Sequence, residues 1–157
     1  SDGWTGFPAE VARYLEGPRA VEHPYWLTTG RTQRLWQTGF HDQHVPARME
    51  ELPLPFVELH PDDAATLGVA TGGLVEAWND EGHAILQVRV DDACPPGTVF
   101  ALQYHPLGTA NALTSGYTDP KTTIPWYKGT RVGLRRLSGD IGDARATTTR
   151  RPLSHLG

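Results

Sequence analysis

Apolar and polar positions alternate in short runs along most of this chain, and each run is closed by glycine, proline or a polar pair. Tyr25-Trp26-Leu27-Thr28-Thr29 is aromatic and β-branched, which predicts a strand over about residues 24–29 that ends where Gly30 lets the backbone turn. Phe56-Val57-Glu58-Leu59 alternates as a half-buried strand does. Pro61-Asp62-Asp63 then opens a short helix that Gly68 stops, with its carboxylates at the positive helix end, a structural job. Leu74 to Asn79 and His83 to Val90 flank Asp80-Glu81-Gly82, which predicts a hairpin with Gly82 in the left-handed conformation. Ala84, Leu86, Val88 and Val90 share one face of its second strand. Pro95-Pro96-Gly97 reads as a turn, 98–103 as a strand and 130–137 as the last strand. Short strands with turn signals about every eight to twelve residues argue for a closed barrel or a sandwich.

The two ends differ from this middle. Residues 1–23 read as a leader or linker with one short helix over Pro8 to Leu15, ended by Gly17-Pro18 and only partly ordered. Residues 24–137 form the domain, and 138–157 a basic, extended tail in which Thr147 to Pro152 wraps another surface. A length of 157 residues fits about one domain, and 38% hydrophobic residues supply one core. No apolar run approaches the length of a membrane span and no signal-peptide pattern opens the chain, so a soluble chain is expected. Cys94 stands alone beside Pro95-Pro96, which excludes an internal disulfide and a cysteine-clustered iron–sulfur or zinc site. It reads as a small, semi-buried residue at a turn.

The net charge of −4 conceals an asymmetry. Eight of the 14 Lys and Arg residues fall at or after Lys121, opposed there by Asp140 and Asp143 alone, so the last 37 residues carry +6. The tail has no interleaved aromatics and no nucleic-acid-binding motif, so no nucleic-acid partner is expected. A solvated tail, or one packed on an acidic surface or on cofactor phosphates, fits better.

Candidate chemistry concentrates in Thr28-Thr29-Gly30-Arg31-Thr32-Gln33-Arg34-Leu35-Trp36-Gln37-Thr38-Gly39. Backbone N–H groups and hydroxyls beyond a strand end are phosphate donors, and Arg31 adds a bidentate, charge-assisted contact. The plainer reading is a solvated loop with a packing Trp. His41-Asp42-Gln43-His44 brings two histidines beside a carboxylate, but they share a face only in a helix and no third ligand lies near, so no metal site is expected. The segment reads as a polar loop lining a ligand or a subunit boundary. No nucleophile elbow, Gly-rich phosphate loop or trustworthy carboxylate pair is present, so no catalytic residue is assigned. An independent hydrolase built on His41, Asp42 or His44 ranks last. The polar specialisations are those of a binder: Thr29, Thr32 and Thr38 as donors, Gln37 as a two-way amide, Arg31 and Lys128 as phosphate charges, and Asn111 as an edge reader. Trp126 and Tyr127 read as core or stacking residues, and Asp119 as a turn former or an acceptor for a 2-amino-pyrimidinone edge.

These pieces carry a resemblance. Thr29 to Thr38 resembles the Thr-Gly-Arg…Trp-(His/Gln)-Thr segment in the C-terminal domain of the dimethyl sulfoxide reductase family, which binds molybdopterin guanine dinucleotide. Glu58-Leu59-His60-Pro61-Asp62-Asp63-Ala64, Asn111-Ala112-Leu113-Thr114, and Asp119-Pro120 followed by Pro125-Trp126-Tyr127-Lys128 keep the family's order, over about residues 24–130. Trp36 to Gln43, Val75 to Asp80 and Tyr127 to Thr130 look most like large subunits of the arsenite oxidase type. The resemblance implies a mainly β fold, a six- or seven-stranded double-psi β-barrel with one or two short helices. It implies that Thr29, Gly30, Arg31, Thr32, Leu35, Trp36, Gln37, Thr38, Asn111 and Lys128 contact the molybdenum-bearing molybdopterin guanine dinucleotide. It also implies that the domain shares that cofactor with the remaining domains of a large subunit, so that alone it holds little cofactor and is not active. A small Rieske-type iron–sulfur subunit is an implied partner, and the periplasm, or otherwise the cytoplasm, the implied location. The alternative is a free-standing barrel of the same kind serving binding or assembly. Two features depart from the arsenite oxidase pattern: Arg31-Thr32 replaces Arg-Asn, and Asn111 to Thr114 follows the broader family. The substrate pocket and the iron–sulfur cysteines belong to parts of such subunits outside this chain, so no substrate is implied.

Overall fold

The computed structural model describes residues 19–35, 41–107, 110–114, 122–124 and 130–139. Six strands close on themselves: β1 (Tyr25–Gly30), β2 (Phe56–Leu59), β3 (Leu74–Trp78), β4 (His83–Val90), β5 (Thr98–Leu102) and β6 (Thr130–Leu137), in the order β1-β5-β2-β4-β3-β6 around the barrel. Closure removes sheet edges that would otherwise need protection. The helices are short: α1 (Arg19–Glu22), α2 (Pro46–Glu51) and α3 (Pro61–Leu67), with 3-10 turns at Asp42–His44 and Ala110–Leu113. A mainly β, six-stranded closed barrel is therefore the architecture, at the lower of the two strand counts expected.

Period-two burial explains the strands. In β4, Ala84, Leu86 and Val88 face the interior while Val90 packs at its margin, and β1 alternates buried and half-buried along its length. Val57, Leu59, Val75, Ala77, Val99, Ala101 and Val132 complete an interior with essentially no solvent contact. Each of the Val and Leu side chains among them stabilises the fold by about 1.5–3 kcal/mol. Helix α3 runs as expected: Pro61 opens it, the His60 Nδ1 accepts from the Asp62 N–H at 3.1 Å, and Gly68 ends it in the left-handed region at φ 64°. The Asp63 carboxylate accepts from the Gly97 N–H at 2.7 Å, tying α3 to the turn before β5.

Two expectations are corrected. Gly82 does not adopt the left-handed conformation; among the described residues the positive-φ glycines are Gly68, Gly72 and Gly97. The hairpin is closed by Asn79 instead, whose Oδ1 accepts from the N–H groups of Glu81 at 3.0 Å and Gly82 at 3.2 Å, an Asx-type turn that needs no positive φ. Helix α2 and the 3-10 turn before it occupy a stretch read as loop. Pro46 sits at the first helical position, where its missing N–H costs nothing, rather than acting as a breaker. The leader helix over Pro8 to Leu15 and the tail after Asp140 lie outside the described residues.

Pairing decides which loops meet. β1 and β5 are parallel, as are β2 and β4, whereas every other neighbouring pair is antiparallel. The loops after β1 and after β5 therefore leave by the same rim, where the Gln103 N–H donates to the Gly30 carbonyl at 2.8 Å. β2 runs against β5, so the α2 segment enters at this rim as well. β6 runs against β1 with Thr130 opposite Leu27, so the chain approaching β6 arrives there too. The β3–β4 hairpin tip lies at the same rim.

Candidate functional site

The loop after β1 starts where glycine is required by contact rather than by φ: a Cβ at Gly30 would run into the Phe100 ring of β5. That close approach lets the next residues fold over the strand ends. Gly30, Arg31, Thr32 and Leu35 line a shallow cleft together with Leu102, Gln103 and Tyr104 from the end of β5. Its floor is apolar, because Leu35 is buried with Leu52, Phe56 and Leu102. Its rim is polar: Arg31 is exposed, Thr32 is half-buried with Oγ1 accepting from the Arg34 N–H at 3.2 Å, and Gln103 and Tyr104 close the far side.

The loop is propped from below. Arg48 of α2 donates from Nη1 to the Arg34 carbonyl at 2.9 Å and to the Asp42 carboxylate at 3.1 Å. Asp42 is 2% exposed, so this ion pair is half in the protein and joins the residues on either side of 36–40. Arg34 pairs with Glu51 at the end of the same helix. His105, 1% exposed, accepts at Nδ1 from the Leu107 N–H at 3.1 Å; its Nε2 therefore carries the proton and donates to the Leu52 carbonyl at 2.8 Å. The loops after β1 and after β5 thus share one scaffold.

The site residues expected from the sequence fall into three groups. Gly30, Arg31, Thr32 and Leu35 converge on the cleft, Leu35 as floor rather than as polar contact. Thr29 is 5% exposed and sits at the buried root of the loop, so Thr28 and Thr32 present the more accessible hydroxyls. Asn111 is exposed on the Ala110–Leu113 turn, which reaches the same rim by the β5 loop but does not line the cleft. Trp36, Gln37, Thr38 and Lys128 lie outside the described residues, as do Asp119, Trp126 and Tyr127. Sequence reasoning passed over Gln103, Tyr104, Arg48 and His105. A polar-aromatic pair beyond a strand end was the available signal for Gln103-Tyr104; nothing local marks the other two.

His41 and His44 are exposed, the Asp42 carboxylate is engaged by Arg48, and among the described residues no group of three His, Cys, Asp or Glu could hold a metal. Cys94 is a structural thiol: it is buried, its S–H donates to the Thr98 carbonyl at 3.1 Å, and burial pushes its pKa up, away from a reactive thiolate. The cleft is small, about 10 Å³, and its apolar floor is edged by a guanidinium, a hydroxyl, an amide and a phenol.

Comparison with known proteins shows the family of the chain. Residues 25–131 match the family model described as "Molydopterin dinucleotide binding domain". The chain is 33% identical over 146 residues to arsenite oxidase subunit AioA of Herminiimonas arsenicoxydans, covering 93% of this chain and 17% of that protein. It is 33% identical over 129 residues to periplasmic nitrate reductase of Desulfovibrio desulfuricans, covering 82% of this chain and again 17% of the relative. The fold is shared with acetylene hydratase from Pelobacter acetylenicus, at a TM-score of 0.65 and 20% identity over 80% of this chain and 20% of that one. This chain thus spans less than a fifth of the length of the curated relatives it matches. With the family model covering well over half of its residues, the chain belongs to the molybdopterin dinucleotide-binding domain family.

Proposed function

We propose that this chain is the C-terminal domain of a molybdenum oxidoreductase large subunit of the arsenite oxidase type, and that it holds part of the molybdopterin guanine dinucleotide at the rim where β1 and β5 end. The observation that carries this reading is the cleft in which Arg31 and Thr32 stand above a Leu35–Leu102 floor. In this reading residues 24–137 are the binding domain, 1–23 joins it to a preceding domain, and 138–157 lies against a neighbouring surface. The bound group supplies redox chemistry through a molybdenum held by dithiolene sulfurs. The chain's own work is to bind and orient. Arg31 and Lys128 neutralise phosphate, Thr32, Gln37 and Thr38 donate to it, and Asn111 offers both a donor and an acceptor to a ring edge. Thr29, Gly30 and Leu35 shape the loop and its floor, and Trp36 is assigned to the cofactor on the family resemblance. Partners are the remaining domains of the large subunit and a small Rieske-type iron–sulfur subunit. Relatedness to a periplasmic nitrate reductase supports a periplasmic location.

A charge-assisted contact to phosphate contributes about 1.5–3 kcal/mol, so Arg31→Ala weakens dinucleotide binding roughly tenfold or more. Arg31 is exposed and carries no core packing, so the melting temperature holds. Cofactor content and melting temperature of Arg31→Ala and Lys128→Ala, measured in the whole subunit beside wild type, test the assignment. Full occupancy in both variants refutes it, and a collapsed melting temperature makes these residues structural.

A further inference from the structure

We infer that Asn79, at the tip of the β3–β4 hairpin, is a positioning residue for the cofactor rim: its amide holds the turn carrying Asn111 in place. The inference rests on the functional reading above and extends it to a residue remote from the β1 cleft. Asn79 is 7% exposed, and all four hydrogen-bonding valences of its side chain are used. Oδ1 accepts from the N–H groups of Glu81 at 3.0 Å and Gly82 at 3.2 Å, which closes its own hairpin. Nδ2 donates to the Leu113 carbonyl at 2.8 Å and to the Arg131 carbonyl at 3.2 Å, across 34 and 52 residues of chain. Two N–H partners on one side and two carbonyls on the other allow the amide one orientation only.

The geometry joins three pieces of the rim. Leu113 ends the 3-10 turn that begins at Ala110 and exposes Asn111, and the Asn111 carbonyl accepts from the Thr114 N–H at 3.2 Å. Arg131 is the second residue of β6, three beyond Lys128. A single buried amide therefore sets the Asn111 turn against the start of β6. Without the Nδ2 donor, two carbonyls lose their partner and the turn is free to shift while the barrel, held by its ladders and apolar interior, stays closed.

The two halves of the amide can be separated. Asn79→Asp keeps the Oδ1 acceptor for the hairpin but sets an oxygen against the Leu113 and Arg131 carbonyls. Asn79→Ser keeps a short acceptor, adds no charge and cannot span to Leu113, so it carries the test if the Asp variant does not fold. The probe is guanosine diphosphate, titrated into the 157-residue chain, with amide hydrogen exchange of Asn111 to Thr114 read in parallel. Both Asn79 variants are expected to weaken binding roughly fivefold to tenfold, as the loss of one or two hydrogen bonds dictates, and to speed exchange in that turn. Asn111→Ala is expected to weaken binding to a similar degree. Combining it with Asn79→Ser should cost no more than either change alone, because Asn79 acts through Asn111. Additive losses, or unaltered binding in the Asn79 variants while Asn111→Ala weakens it, overturn the positioning role and leave the functional reading standing. Unaltered binding in Asn111→Ala overturns the site assignment of Asn111, and the role of Asn79 with it.

Discussion

Burial raises the Glu58 pKa above the usual carboxylate range, the neighbouring charge of Asp91 adds to the rise, and Arg89 opposes both. An acid whose folded pKa lies above its unfolded one contributes stability that is complete below the unfolded value and is lost as pH rises through the folded value. At neutral pH the ionised Glu58 therefore costs stability. Glu58→Gln is expected to raise the melting temperature at pH 7, with the gain over wild type disappearing below about pH 4. A gain that persists in acid contradicts this assignment of the cost. Glu58 belongs to a segment quoted for its family resemblance, so its burial also marks how far residue type carries. The accessibility of Arg31, Thr32 and Asn111 was legible because charged and amide groups beyond strand ends have solvent as their default surroundings. That of Thr29 was not, because strand alternation puts every second residue inside and residue type does not reveal which phase applies.

At the scale of elements, strands with one buried face were readable from the chain, since a slip of one residue would turn every apolar side chain outward. Strands β2, β4 and β6 and helix α3 begin and end where patterning placed them. Helix α2 was not readable: Pro-Ala-Arg-Met-Glu-Glu has no apolar stripe, and it is held by contacts distant in sequence, Met49 against the Leu35–Leu52–Leu102 cluster and Arg48 on Arg34 and Asp42. The same contacts make α2 the support of the ligand loop. Arg48→Met leaves the buried Asp42 carboxylate without this cation. Breaking a fully buried pair costs about 3–5 kcal/mol, but Arg48 is half exposed and solvent screens part of the interaction. A loss of about 1–2 kcal/mol is therefore expected by urea denaturation, with weaker guanosine diphosphate binding although Arg48 does not line the cleft. Unchanged stability and affinity would show that the loop holds its shape without α2.

Across the whole molecule, short strands and regular turns made a barrel or a sandwich legible and the family resemblance pointed to the barrel, but the meeting of distant loops was not legible, because nothing local declares β1 and β5 parallel. That pairing carries the loop after β1 and the loop bearing Asn111 to one rim, with the hairpin tip and the approach to β6 beside them. The opposite rim offers a competing groove between Gly68 to Leu74 and Arg136 to Gly139, roomier than the cleft and carrying the Arg136 guanidinium and the Ser138 hydroxyl but no aromatic side chain. Function by the β1–β5 rim is the central claim, and the most direct test is to titrate guanosine diphosphate into isotope-labelled chain and map the amides that shift. The expected result is a set confined to Gly30 to Leu35, Gln103 to Tyr104 and Asn111 to Leu113. Shifts concentrated at Gly68 to Leu74 and Arg136 to Gly139 would contradict it.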